Sequence, residues 1–198
     1  HQENYHAIVF IPYLYGPIIQ GLPLVASRAF LQPALHDEAY AYLPQVERIF
    51  HLARGILFNS EGEAQLARRL YGSAMAIKGT VVGCGVELGQ ADSAATIPPP
   101  AFSTTQPRYV LYLGRRDATK NTDFLVSCYR DFRQSHPASN LELVLAGPGR
   151  QTYSGHGVCD LGLVSEPEKR WLLAHSLALL NPSRHESYSR VMMEAWLS

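Results

Sequence analysis

The sequence lacks several features that mark common protein classes. It contains no long run of Lys or Arg, and its formal net charge is zero over 198 residues. Nucleic acid is therefore not expected as a partner, because its binding needs a broad positive surface. The three cysteines, Cys84, Cys128 and Cys159, form no CxxC pair and show no metal-ligand spacing. We expect no metal site and a reducing, cytoplasmic environment.

Long apolar segments are also missing. Runs such as AIVFI and LALL are far shorter than the roughly 20 residues that a membrane span requires, and no signal peptide is expected at His1. Peripheral contact with a membrane is left open. Lysine is scarce as well, with three residues against fourteen arginines, so a lysine beside a turn is notable. What is present, 46% hydrophobic and 17% charged residues, is typical of globular proteins.

Short apolar runs alternate with amphipathic stretches in the first half of the chain, a pattern typical of βα units. Strands are predicted at 7–11 and 55–58, with a helix at 43–53 between them. Ser60 and Glu63 predict a capping box, in which each side chain bonds the other's backbone amide. The helix that follows should end near Gly72, and a further strand is predicted at 80–82.

The second half repeats this pattern after a segment of different composition. Residues 89–107 are rich in Ala, Thr and Ser and contain three consecutive prolines, so they are predicted to form a linker without a regular element. Beyond it the sequence predicts a strand at 109–113, a helix at 123–134, a strand at 141–146, a capping box of Ser165 with Glu168, and a buried strand at 178–183. We therefore predict an α/β protein of two partial Rossmann-like lobes with parallel sheets, covering 1–88 and 108–198.

Two cations, Arg115 and Lys120, flank the start of the predicted helix in the segment LGRRDATKN at 113–121. Gly114 allows the backbone to turn directly after strand 109–113, at the strand end where open α/β sheets bind ligands. Two cations and a helix N-terminus can balance a diphosphate without a metal. Solvated charges on a surface turn are the alternative interpretation.

The segment LVLAGPG at 143–149 ends in Gly147 and Gly149. Glycine at this point would let a phosphate or sugar approach the backbone closely. A central strand followed by a tight turn explains the same residues without any ligand, and a GxG pattern is too common to decide.

Near the C-terminus, Glu186 and Glu194 are eight residues apart. With a helix that begins near Tyr188, their backbones would be separated by roughly 10 to 12 Å. The paired carboxylates of glycoside hydrolases lie about 5 to 9.5 Å apart, so this spacing better suits two ends of one extended ligand. Glu194 would hold a ribose and Glu186 the hydroxyls of a sugar. Chance spacing of two glutamates is the alternative.

His36, in the segment PALHDEAY, lies at the end of a strand predicted in the apolar run SRAFLQPAL at 27–35. Metal binding would need a second ligand, which the sequence does not supply. A helix N-cap formed by Asp37, beside a partly buried and hydrogen-bonded histidine, explains the segment equally well.

Taken in this order, the motifs resemble glycosyltransferase family four, a large retaining group with the two-domain GT-B fold. The resemblance covers nearly the whole chain, from YHAIVFIPYL onward, and HDEAY, ILFNSEGEAQLA and GCGVE are similar to the closing segments of the family's acceptor-side domain. It implies that 1–88 is the second half of that domain and that 108–198 is the first half of the donor-binding domain. We therefore expect a piece of a longer protein, or an unusually reduced one.

The resemblance also implies roles for single residues. Arg115 and Lys120 match the family's diphosphate-binding pair, while Glu186 would contact the donor sugar near the reacting carbon and Glu194 the nucleotide ribose. His36 matches a histidine that lies against the donor sugar. The remaining donor-binding positions are Gly114, Gly147, Leu163 in the nucleobase-binding segment 161–165, Ser187, Tyr188, and Ser189, which stands where the family usually has glycine.

The implied function is retaining transfer of a hexose from a nucleoside diphosphate sugar to an acceptor hydroxyl of a carbohydrate, small molecule or lipid, without a metal or other cofactor. A catalytically silent nucleotide-binding or assembly module is the alternative, because incomplete lobes expose sheet edges and apolar faces that favour self-association. A sugar-nucleotide epimerase fits poorly, since the sequence has no GxGxxG loop after its first strand.

Overall fold

A computed structural model of the protein describes residues 5–86, 97–104 and 107–198. The chain divides into two compact units. The first comprises His1–Gly85 with His185–Tyr188, and the second comprises Val86–Arg184 with Ser189–Ser198. Within the described residues each unit has its own four-stranded sheet, and every strand pair found there is parallel. The α/β fold with parallel sheets is thus confirmed.

The sheet of the first unit follows the order of the chain. Its strands are paired in the order β1-β2-β3-β4, with bounds β1 Ile8–Phe10, β2 Ala29–Leu31, β3 Gly55–Phe58 and β4 Gly79–Val81. The helices that accompany them are α1 Gly16–Gly21, α2 Pro44–Leu52, α3 Glu61–Tyr71 and α4 Ala74–Lys78. Two 3-10 turns separated by a kink at Val25 cover Leu22–Arg28, and a further 3-10 segment covers Ala39–Tyr42.

Helices α2 and α3 form one core with the first sheet. Val46, Ile49 and Phe50 share the buried face of α2, as the 3.6-residue period predicts. The buried face of α3 carries the small residues Ala64 and Ala67, which allow a close approach to the core. Burying each large apolar side chain contributes about 1.5 to 3 kcal/mol before the entropy cost of ordering it.

In the sheet of the second unit the strand order, and not the strand direction, reverses: the first strand in sequence lies between the second and the last. Its strands are β5 Arg108–Leu113, β6 Leu141–Ala146, β7 Val158–Gly162 and β8 Ala178–Leu179, and they are paired in the order β7-β6-β5-β8. The helices are α5 Thr122–Ser135, α6 Glu166–His175 and α7 Arg190–Trp196. Two consecutive connections step outward from β5 to one side, and β8 then pairs with the other side of β5.

Both faces of this second sheet are covered, so its central strands are apolar except for Arg108 and Glu142 near their starts. Tyr109 and Leu111 pack with α6, whereas Tyr112 on the opposite face packs with α5, because successive residues of a strand point to opposite faces. The same alternation applies to β6. The stripe of Leu125, Tyr129 and Phe132 that the sequence predicts on α5 meets this core, with Leu125 and Tyr129 buried.

Several predicted elements have different bounds. The strand predicted at 80–82 runs over Gly79–Val81. The prediction of a buried strand at 178–183 was wrong in length and in burial. Strand β8 contains two residues, pairs with β5 at two positions, and is not buried. The helix predicted from Tyr188 begins at Arg190, so the distance estimated between Glu186 and Glu194 assumed a helix that begins too early.

The predicted linker is partly structured. Pro100–Phe102 forms a 3-10 turn, and Phe102 packs against Tyr109 and Trp171 in the core of the second unit. The expectation that 89–107 holds no regular element is therefore wrong for these residues. Residues 89–96, 105 and 106 lie outside the described part of the chain.

Candidate functional site

The carboxyl end of β5 is a topological switch point. On one side β5 pairs with β6, and on the other it pairs with β8. The connections that leave these strands therefore diverge at this edge, and such crevices bind ligands in open α/β sheets. Gly114 begins the connection after β5, and Leu180 begins the one after β8.

The loop after β5 is shaped by its own hydrogen bonds. The Asp117 carboxylate accepts the backbone amides of Thr119 and Lys120 at 3.0 and 3.2 Å, which caps a 3-10 turn over Ala118–Lys120. The bond from the Thr119 hydroxyl, together with these amides and Arg115, holds the pKa of Asp117 below its ordinary value. The turn therefore has its strongest cap when Asp117 is ionised.

Asn121 fastens this loop to the segment after β8. It adopts the left-handed conformation, with φ of 56°, between the 3-10 turn and α5. Its amide Nδ2 donates to the carbonyl of Pro182 at 3.3 Å. The two connections that border the switch point are thus joined directly.

Both residues that are predicted to bind the diphosphate, Arg115 and Lys120, lie in this loop. The Arg115 side chain is 70% exposed, and its Nη1 lies 3.5 Å from Oδ2 of Asp117. Lys120 is half-buried and ends the 3-10 turn. An open cavity of about 630 Å³ adjoins Arg115, and its walls come from the loops after β5 and β6 and include Asp117, Arg150 and Tyr153. Arg115 therefore has accessible space beside it.

Arg116, the next residue, has a different role that the sequence analysis missed. Its side chain is 5% exposed and forms an ion pair with Asp160, which is 4% exposed. Its Nε donates to the carbonyl of Gly147 at 3.0 Å and its Nη1 to that of Gln151 at 3.1 Å. Arg116 thus holds the loops after β5 and β6 together.

Gly147 is required by the backbone itself. Its φ is 127°, and a Cβ at this position would lie 2.0 Å from the carbonyl oxygen of Gly114. The amide of Gly114 donates to the carbonyl of Ala146 at 2.9 Å, so the ends of β5 and β6 are in close contact. The interpretation of a central strand followed by a tight turn is confirmed, while ligand contact of Gly114 and Gly147 stays a prediction.

The C-terminal residues of the second unit place Glu194 beside a lysine. Glu194 lies on α7 and its Oε1 is 3.3 Å from Nζ of Lys169 on α6. Ser189 is the N-cap of α7, and its hydroxyl accepts from Asn181 at 3.4 Å rather than from the helix. Leu163 follows β7 and is 79% exposed. The structure thus keeps Glu194 paired and Leu163 accessible.

Several residues that are predicted to contact the donor belong to the first unit. Glu186 is exposed, Tyr188 is half-buried, and the carbonyl of Ser187 accepts from the Ser60 hydroxyl at 2.8 Å. His36 is half-buried in the segment that follows β2, and its carbonyl accepts from the amide of Glu38. Their contact with a donor sugar stays a prediction.

Asp37 is not the helix N-cap that the alternative interpretation of His36 predicts. Its carboxylate accepts from the Tyr42 hydroxyl at 2.6 Å and from Arg69 at 2.7 Å. The N-cap of the following 3-10 segment is Glu38, which makes no side-chain cap. Long-range and local side-chain partners have replaced the backbone cap.

The carboxylate of Glu63 is a buried group at the carboxyl edge of the first sheet. It accepts the backbone amides of Leu35 and Asn59, each at 2.5 Å, and the Ser60 hydroxyl accepts the amide of Glu63 at 3.2 Å. Burial raises the pKa of Glu63, and bonds from backbone amides, that of Ser60 among them, oppose the rise. The predicted Ser60 cap is confirmed. The Glu63 carboxylate also accepts two amides, those of Leu35 and Asn59, that lie outside the predicted capping box.

Metal-binding clusters and membrane-spanning helices are both absent from residues 5–86, 97–104 and 107–198. Within these ranges no three His, Cys, Asp or Glu side chains are grouped so that they could hold a metal ion. In the same ranges no helix has the length and apolar character needed to cross a membrane.

Solved structures resemble this chain in fold, although no family model and no curated protein sequence matches it. Anabaena Alr3699/HepE, in complex with UDP and glucose, is 14% identical with a TM-score of 0.73 over 98% of this chain and 57% of its own. A UDP-forming α,α-trehalose-phosphate synthase from Burkholderia xenovorans is 14% identical with a TM-score of 0.68 over 92% and 54%.

The resemblance in fold includes a third solved structure. The pneumococcal O-GlcNAc transferase GtfA, in complex with UDP and GlcNAc, is 14% identical with a TM-score of 0.62 over 90% of this chain and 38% of its own. This chain therefore spans about half the length of the first two structures and less of the third. The GT-B-like fold that the resemblance implied is confirmed, while membership of family four stays a prediction.

Proposed function

We propose that this protein takes part in transferring a sugar from a nucleoside diphosphate sugar to an acceptor hydroxyl, with retention of configuration at the anomeric carbon. The observation that carries the proposal is the position of the Arg115–Lys120 loop at the switch point between β5 and β8. A donor bound there would have its diphosphate beside two cations. The acceptor is a carbohydrate, a small molecule or a lipid.

The chemical work of this site is electrostatic. When the bond between the anomeric carbon and the diphosphate oxygen breaks, negative charge grows on the leaving group, and cations held in place beforehand stabilise it. Arg115 can bind two phosphate oxygens through its planar guanidinium, whereas Lys120 supplies a compact point charge. In this proposal no metal or other cofactor is needed to balance the diphosphate.

The remaining contacts follow from the resemblance. Glu194 accepts the ribose hydroxyls, and the segment with Leu163 holds the nucleobase. Glu186 and His36 contact the donor sugar, and backbone groups of 187–189 assist them. Ser189 in place of the usual glycine limits how closely that backbone approaches the sugar.

A nucleotide-binding module without turnover is the second candidate. It is favoured by the open cavity beside Arg115, because nucleotide binding requires that site alone. Such a module would bind a nucleoside diphosphate through the same Arg115 and Lys120, but it would contribute only part of an enzyme.

The test is enzymatic. The full chain is incubated with UDP, GDP and ADP sugars, with and without simple sugar acceptors, and release of nucleoside diphosphate is followed together with product anomer by NMR. Turnover that falls at least about tenfold in both Lys120→Ala and Glu186→Ala supports transfer, since loss of a hydrogen bond to a charged group costs about that factor. Turnover that ignores both substitutions contradicts these roles, and tight nucleotide binding without turnover supports the binding module.

A further inference from the structure

Lys169 makes a bridge between two carboxylates in the second unit. Its Nζ lies 3.3 Å from Oε1 of Glu194 on α7 and 2.7 Å from Oε2 of Glu166 on its own helix. The side chains of Lys169 and Glu194 are each 20% exposed, whereas that of Glu166 is 69% exposed. The contact with Glu194 is therefore the more sheltered of the two.

This pairing matters because of the charge that a donor would bring. An unpaired carboxylate close to a diphosphate adds like-charge repulsion, which is stronger in a partly buried site than in water. With Lys169 bound, the charge of Glu194 is partly offset while its carboxylate still accepts hydrogen bonds, since a carboxylate has about four lone-pair sites. One ammonium leaves acceptor capacity for a vicinal diol.

We propose that Lys169 is a positioning residue that orients Glu194 for the ribose hydroxyls of the nucleotide. This inference rests on the proposed function, in which Glu194 binds the ribose. Lys169 offsets part of the charge of the carboxylate and restricts its orientation, and it touches neither the sugar nor the reacting atoms.

A purely structural role for this ion pair makes a different prediction. Lys169 keeps Glu166 as a partner, so loss of Glu194 would not leave the charge of Lys169 uncompensated. A structural lysine would affect the binding of all nucleotides equally, whereas a positioning lysine affects the part of binding that depends on the 2′-hydroxyl.

The experiment measures the dissociation constants of UDP, GDP and ADP and of their 2′-deoxy counterparts by calorimetry on the full chain. Wild type should bind at least one of the three ribonucleotides about tenfold more tightly than the 2′-deoxy form of the same nucleotide. This factor is expected for a hydrogen bond to a charged acceptor. Lys169→Met should reduce this ratio to about twofold or less, Lys169→Arg should retain most of it, and Glu166→Gln should leave it unchanged. Thermal melts establish that each variant is folded.

The outcomes separate the two proposals. Wild type that binds none of the three nucleotides overturns the proposed function, and the positioning role with it. Wild type that discriminates at the 2′ position while Lys169→Met keeps the same ratio overturns the positioning role alone, as does equal weakening of both nucleotide forms. Should Lys169→Met not fold, Lys169→Gln, which keeps a neutral donor, is expected to give an intermediate ratio, and a wild-type ratio there is equally decisive.

Discussion

Arg115 and Arg116 are neighbours in the chain with opposite environments. Arg116 is nearly inaccessible and bonded to Asp160 and two carbonyls, whereas Arg115 is mostly exposed. We expect Arg116→Ala to lower the free energy of unfolding by about 3 to 5 kcal/mol, because it leaves the buried Asp160 carboxylate without its cation. Arg115→Ala should change it by about 0.5 kcal/mol or less. Urea denaturation of both variants measures the difference.

Nucleoside diphosphate binding should depend on Arg115, the arginine that contributes little to stability. Arg115→Ala should retain wild-type stability but weaken nucleoside diphosphate binding, since its side chain is the accessible one. An Arg115→Ala variant as unstable as Arg116→Ala would contradict the assignment of the two environments.

Which arginine is buried could not be predicted from the sequence. Asp160 lies 44 residues away, and the contact exists because β6 and β7 bring their ends beside β5. The candidate cations Arg115 and Lys120 could be predicted, because a strand followed by a turn and a helix start defines a local position. The Lys169–Glu194 contact could not, since it depends on the packing of α6 against α7.

Gly147 and Gly155 both have positive φ angles but differ in the atoms that surround them. A Cβ on Gly147 would collide with the Gly114 carbonyl, whereas one on Gly155, also at positive φ, would meet nothing within 4 Å. Gly155→Ala should cost about 1 to 2 kcal/mol, the penalty of a left-handed alanine. Gly147→Ala should cost at least about 3 kcal/mol because the steric overlap is added. Similar midpoints in urea for the two variants would disprove the close approach of β5 and β6.

Helix α6 begins with a complete capping box. The Ser165 hydroxyl accepts from the Glu168 amide at 3.4 Å, and the Glu168 carboxylate accepts from the Ser165 amide at 2.7 Å and the Ser165 hydroxyl at 2.6 Å. These bonds to Ser165 hold the pKa of Glu168 below its ordinary value. Ser165→Ala should therefore destabilise the protein by about 1 kcal/mol at neutral pH.

The pH dependence of that variant has a definite sign. A lowered folded pKa gives stability that is present above the unfolded value, near 4.3, and is lost as pH falls through the folded pKa. The gap in unfolding free energy between wild type and Ser165→Ala should narrow between about pH 5 and pH 3, because wild type loses the contribution that the variant already lacks. A gap that widens toward acid pH would contradict this hydrogen-bond arrangement.

Elements with strong periodicity could be predicted, and elements defined by pairing could not. Strands β3 and β6 match their predicted bounds, and α2 and α5 match to within one residue at each end. Strand β7 was missed because VCDLG contains an aspartate and a glycine and little apolar continuity, so that pairing with β6 defines it. Segment Gly16–Arg28 contains two prolines and two glycines, and its helical turns are supported by the buried Ile18, Leu22 and Val25.

At the scale of the whole molecule, each unit has its own core, and all proposed nucleoside diphosphate contacts belong to the second. Ligand binding stabilises only the species that binds, by about 2.7 kcal/mol at a ligand concentration of 100 times the dissociation constant. The stabilisation should therefore be strongest in the sheet next to the proposed site. Strands β5 and β6 lie beside the Arg115–Lys120 loop, whereas β3 lies in the other unit.

Hydrogen exchange tests this distribution. With UDP, GDP or ADP at saturation, amides of Arg108–Leu113 and Leu141–Ala146 should exchange up to about 100-fold more slowly, because exchange through unfolding is suppressed in proportion to the free energy gained. Amides of Gly55–Phe58 should change least. The matched control, Arg115→Ala combined with Lys120→Ala, should show no slowing in either sheet. Slowing confined to Gly55–Phe58, or retained in full by the double variant, would mean that the nucleotide binds elsewhere on the molecule.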